Sequence, residues 1–114
     1  MIKHVGRVSL ILLMRGESSF RVSDFPNERA VLTKMAPRFF SEKDAFLSYP
    51  HFGYQEILAA RYIAMFWQEA SPIIKRGPAV PLVLSAVYDI ASQLVSARQL
   101  AEIDRVFIEF QERG

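Results

Sequence analysis

The chain has 114 residues, no cysteine, 51% hydrophobic and 23% charged residues, and a formal net charge of +2. That length implies one core and a single domain over residues 1–114; the apolar fraction excludes disorder, and the absence of cysteine excludes thiolate chemistry and fits a reducing, cytoplasmic setting. Residues 1–38 carry seven basic and three acidic groups, and residues 39–114 carry seven and nine, too shallow a bias for the basic stripe of a nucleic-acid binder.

Lys3, His4 and Arg7 precede the apolar run Val8–Met14. That run is too short for a membrane span, and no small-residue cleavage site follows it, so export is not expected. Glycines bound Arg7–Met14, a turn signal follows at 16–19, and Phe20–Ser23 alternates apolar with polar. Residues 1–24 therefore read as a β-hairpin or an extension, with a short N-terminal helix as the rival reading. Met14-Arg15-Gly16-Glu17 would also serve as a chain start, which would make the first thirteen residues an extension.

Residues 25–114 read as helical. Asp24 or Asn27 caps a helix from about Pro26, with Ala30, Val31, Lys34 and Met35 at helical spacing and Pro37 as its stop. Ser41, with Glu42 and Asp44 in a first turn, predicts a second short helix ending at Tyr49-Pro50. From Gly53 to about Ala70 the wheel is apolar nearly all round, with Arg61 and Gln68 as a narrow polar seam. Such a helix is a buried centre or a subunit contact. Ser71-Pro72 and Lys75–Pro78 mark breaks. Val80–Val95 is amphipathic, with Val87, Tyr88, Ala91 and Leu94 on its core face. Ser96–Gln99 reads as a capping box before a last helix carrying Leu100, Ile103, Phe107 and Phe110, unless the last two helices are one bent helix. The fold class is mainly α, with four to five helices and a short N-terminal hairpin.

Chemistry has little to stand on in this sequence. There is no Gly-x-Ser-x-Gly elbow, the two histidines lie more than forty residues apart without metal-ligand spacing, and no glycine-rich phosphate loop occurs. His51, between Pro50 and Phe52, reads as a loop histidine on an aromatic cluster. No enzyme, metal or cofactor is expected. Nine of the fourteen aromatic residues fall between 39 and 67. Phe46, Tyr62 and Phe66 are assigned to the core. Arg38, Phe39, Phe40, Tyr54, Ile63 and Trp67 are assigned to a partner surface, because interfaces enrich aromatic residues and arginine.

The expected function is a small non-enzymatic regulatory protein that binds another protein through an apolar, aromatic helical surface. A homodimer is expected, acting as an adaptor or as an anti-activator that sequesters a transcription regulator. With bacterial anti-activators the chain shares size, helicity and the lack of a reactive site, and no motif places it in a family. The alternative is a DNA-associated regulator using Arg29, Lys34, Arg38 and Lys43, with Phe39 and Phe40 as stacking residues.

Overall fold

The computed structural model describes residues 2–51, 53–76 and 81–113, and of residues 2, 35–39, 81–86 and 110–113 it describes the backbone. The domain is mainly helical, with six α-helices and a small antiparallel sheet among the described residues. The helices are α1 (Ile2–Met14), α2 (Arg29–Phe39), α3 (Tyr54–Met65), α4 (Trp67–Arg76), α5 (Pro81–Ser92) and α6 (Ala97–Arg113). The strands β1 (Ser19–Phe20), β2 (Ser41–Lys43) and β3 (Phe46–Ser48) pair in the order β1-β3-β2. None of the described helices is long and apolar enough to cross a membrane.

The segment expected to form the first strand is helix α1. Its apolar residues fall into two sets on opposite sides of the helix. Val5, Val8 and Leu12 pack with Phe20, Phe25, Leu32, Phe40, Leu47 and Leu58. Leu10, Leu13 and Met14 join the larger core with residues of α3, α4, α5 and α6. A helix buried on two sides loses its polar stripe, and a short run without one looks the same as a buried strand. Gly16 is the C-cap of this helix and not a hairpin turn. It has φ +70°, the Glu17 N–H donates to the Leu12 carbonyl (2.9 Å), and its own N–H donates to the Leu13 carbonyl (3.1 Å). This Schellman arrangement satisfies two carbonyls that the helix end leaves open. Val5, Val8 and Leu12 thus belong to one core, and Leu10 and Leu13 to the other.

Helix α1 lies directly against α3. A Cβ built on Gly6 would sit 2.7 Å from the Tyr62 Cβ and 3.0 Å from the Leu58 carbonyl oxygen, so the two backbones meet where only glycine fits. Ser9, fully buried in α1, donates to the Val5 carbonyl (2.8 Å) and so accepts the Tyr49 hydroxyl (2.7 Å), which ties α1 to the chain after β3. Glu28 is buried and paired with Arg7 of α1.

Between α1 and α2 the chain makes two 3₁₀ turns, Val22–Asp24 and Pro26–Glu28. Helix α2 starts later than expected and runs past Pro37 to Phe39. The short helix expected from Ser41 is instead the β2–β3 hairpin, in register Lys43↔Phe46. Its two-residue turn holds Asp44 at φ 53° and Ala45 at φ 67°. Positive φ at both turn positions is the type I′ hairpin geometry, normally signalled by glycine, and no glycine is present to signal it.

The long apolar segment is two helices. Phe66 (φ −132°, ψ 47°) leaves the helical region. Its N–H closes α3 on the Tyr62 carbonyl, and its carbonyl accepts the first N–H groups of α4 from Glu69 and Ala70. A wheel drawn across this joint superposes two axes. Ser71-Pro72 is no break, because Pro72 lies inside α4. It removes only the bond to the Gln68 carbonyl. Of the Lys75–Pro78 break, Lys75 and Arg76 close α4, while Gly77 and Pro78 lie outside the described residues.

Helices α5 and α6 are separate, with a turn at 93–95 between them. Leu94, expected in the core, is exposed because α5 stops at Ser92. Ile103 and Phe107 are core residues, and the side chain of Phe110 lies outside the described residues. Tyr88 of α5 donates a hydrogen bond to Asp104 of α6. Half of the capping box forms: the Gln99 N–H donates to the Ser96 Oγ (3.3 Å). The Gln99 side chain does not reach back. Its Nε2 donates instead to the Ala64 carbonyl (2.9 Å) at the open end of α3.

Candidate functional site

Burial sorts the six residues assigned to a partner surface. Ile63 and Phe40 are core residues, a correction to the sequence reading. Ile63 faces the larger cluster. Phe40 packs edge-on between Phe20 (5.2 Å) and Tyr49 (5.2 Å), and Phe20 meets Phe25 in the same way (5.5 Å). Density of aromatics, the signal used for an interface, here marks the second core. Trp67 is also buried, although it borders an open groove. Tyr54 is exposed. Of Arg38 and Phe39 only the backbone, in α2, is described. Phe46, assigned to the core, is exposed, with the Arg21 guanidinium stacked over its ring at 4.6 Å.

The residues that reach the surface together belong to α3. Its inner faces are taken: Leu58 and Tyr62 lie at the α1 crossing, and Ala59, Ala60 and Ile63 sit in the cluster that holds Val87 and Ala91 of α5. What remains open is Tyr54 (39% exposed), Ile57 (44%), Arg61 and Met65 (64%). Spacings of three, four and four residues place them on one stripe, a stripe of apolar side chains with one cation. Arg61 forms no ion pair with any described residue. Sequence reasoning took Ile57 as part of an all-round apolar wheel and Arg61 as a seam. A wheel stopped at Met65 is still apolar nearly all round, so the stripe is defined by which faces α1 and α5 cover.

Met65 also begins a groove of about 440 Å³ where α3 gives way to α4 and α6 begins, lined by Phe66, Trp67, Gln68, Glu69, Gln99 and Glu102. A smaller hollow of about 210 Å³ continues along α4 and α6 past Ser71 and Pro72 to Lys75 and Arg105. Gln99, which lines the groove, also ties α6 to the end of α3 through its bond to Ala64.

A second, polar cleft of about 220 Å³ lies between Ser18, Ser48, Tyr49, His51, Gln55 and Glu56. His51 packs edge-on to Tyr54 at 5.0 Å, as the aromatic-cluster reading expected. The Gln55 amide is spent on the Glu17 carbonyl (2.7 Å). Burial holds the Tyr49 hydroxyl well above the usual phenol range. Every buried side-chain polar atom among the described residues has a partner, so none points into the cleft unsatisfied. Among the described residues, no three His, Asp or Glu side chains converge to hold a metal ion.

The comparisons add no relative. No family model, curated protein or solved structure matches this chain.

The residues of the DNA-binding alternative are dispersed. Arg29 and Lys34 are exposed on α2 but five residues apart, which turns them about 140° from each other. Lys43 is exposed on β2, and the side chain of Arg38 lies outside the described residues.

Proposed function

We propose that this chain is a small non-enzymatic regulatory protein that works by binding another protein through the exposed stripe of α3 and the groove at its end. The observation that carries the reading is the stripe itself. Tyr54, Ile57 and Met65 are exposed around Arg61, which forms no ion pair with a described residue, on a helix whose other faces pack against α1 and α5. Large apolar side chains presented together on a rigid helix suit anchoring of a partner. An adaptor or an anti-activator acts this way, by occupying a surface that a regulator needs for its own contacts.

The test is recovery of partners from the native host at low and high salt, with the wild-type chain and a Met65→Glu variant. One stoichiometric protein, retained at both salts by the wild type and lost by the variant, is the expected result. Recovery of nucleic acid at low salt alone, without a protein, would refute the reading, because phosphate contacts weaken steeply with salt.

A further inference from the structure

We infer that the occupant of this surface is a single amphipathic helix from another protein, carrying an acidic residue opposite Arg61 and basic residues at the end that enters the α4–α6 groove. The inference rests on the protein-binding reading above and specifies the chemistry of the partner.

Size is the first argument. From Tyr54 to Met65 the stripe spans eleven residue steps, about 16 Å, the length of three helical turns. Its exposed side chains offer on the order of 300–400 Å², about half of the ~800 Å² that each side of a standard stable interface buries. One helix laid along α3 and anchored at i, i+3/i+4 and i+7 matches that extent. A globular dimer needs more.

Charge is the second argument. Arg61 lies in the stripe with no acidic partner among the described residues, so a helix covering it has to bring a carboxylate or leave a guanidinium desolvated. Beyond Met65 the sign changes. Glu69 of α4 and Glu102 of α6 line the groove together with Trp67. Glu69 is held in part by Lys3 of α1 (2.9 Å), while Glu102 makes no ion pair with a described residue. A partner helix therefore meets positive charge along the stripe and then the Glu69 and Glu102 carboxylates at the mouth of the groove, before Lys75 and Arg105 of the hollow beyond.

A second copy of the chain does not meet this pattern. Two α3 stripes packed antiparallel about a two-fold axis have their centre between Ile57 and Arg61. Arg61 and its symmetry mate would then lie within about 5 Å along the seam. The acids of each groove would lie at the outer ends, beside Tyr54 of the other copy, where they cannot neutralise the arginines.

Trp67 is the only tryptophan and lines the groove, so its emission reports occupancy. The experiment titrates the full chain with two tryptophan-free helical peptides of about fourteen residues, both with leucine anchors at i, i+4 and i+7. One carries glutamate in the seam and two lysines at the groove end. The other has those charges exchanged. The first is expected to bind in the micromolar range, and at least tenfold more tightly than the second. Arg61→Glu should reverse the seam preference, and Ile57→Glu should abolish binding of both, with helical content and melting temperature of each exposed-site variant unchanged. Equal affinity for the two peptides, or binding of neither, overturns the inference. So does a wild-type dimer in light scattering that Met65→Glu converts to monomer. If a host protein is still recovered by the wild type and lost by Met65→Glu while the peptides bind equally, the protein-binding reading stands and the charged-helix inference falls.

Discussion

Gly6 gives the sharpest test of how this fold is held. On helix propensity alone, Gly6→Ala should stabilise α1 by about 1 kcal/mol. The structure predicts the opposite sign. The added methyl would sit 2.7 Å from the Tyr62 Cβ and 3.0 Å from the Leu58 carbonyl oxygen. Contacts between such atoms normally settle near ~3.5–4.0 Å, so α1 must move away from α3 by nearly ~1 Å. Neither obstacle is the far end of a flexible side chain; one is backbone and the other is fixed to it. Overpacking of this kind costs about 1–3 kcal/mol, and here it disturbs the two clusters that share α1. The expected balance for alanine is a loss of up to about 2 kcal/mol, a fall in melting temperature of up to about 8 °C for a chain of this size. Valine, larger and β-branched, should lose more than alanine. The assay is urea unfolding followed by circular dichroism, with thermal melts alongside. An order of Ala > Val > Gly in stability would be the propensity order, and it would refute the close α1–α3 crossing.

Three further outcomes are expected. Ala45→Gly should stabilise the chain by about 1 kcal/mol, because it relieves a non-glycine residue at φ 67° in the β2–β3 turn; a lower urea midpoint would contradict this. Arg7→Met should cost about 2–3 kcal/mol, because it strands the buried Glu28 carboxylate, a loss moderated by the partial exposure of Arg7; the double change Arg7→Met with Glu28→Gln should recover most of it in the same unfolding assay. Stability should fall as pH rises above about 10, where the unfolded tyrosines ionise while Tyr49 keeps its proton in the fold. Over that window the unfolded chain binds fewer protons than the folded one, a slope of up to about 1.4 kcal/mol per pH unit for one such group. Tyr62, raised chiefly by burial, and Tyr88, raised chiefly by its bond to Asp104, act in the same direction. Tyr49→Phe should therefore flatten the alkaline limb without removing it, and an unchanged slope in urea midpoints between about pH 9 and 11.5 would count against a protonated buried phenol.

Where one side of a helix faces solvent, the periodicity of the chain is enough to find it. The last helix, with Ile103 and Phe107 inward and Ser96 at its start, follows its pattern closely. Legibility failed where burial came from two directions or where turn chemistry was atypical. α1 has core on both sides and no polar stripe, so its run looked like a strand and its glycine cap like a hairpin turn. The real hairpin turns on Asp44-Ala45, without the glycine that would announce it. At the candidate site, Tyr54 was legible as an exposed aromatic. Phe40 was not, because its neighbours Phe20 and Tyr49 come from distant parts of the chain. Ile57, Arg61 and Met65 share a face by spacing, but that this face is the open one follows only from the packing of α1 and α5 against the others.

The separation of α1 from α3 along the chain has a consequence for synthesis. The partners of α1 in α3 lie some fifty residues downstream, and at roughly 5–20 residues per second they follow it from the ribosome about 3–10 s later. During that interval the nascent chain displays an apolar segment behind Lys3, His4 and Arg7, the sort of surface that folding factors are built to hold. The translation rate between Met14 and Ile63 thus sets how long α1 stands open before α3 arrives to pack against it.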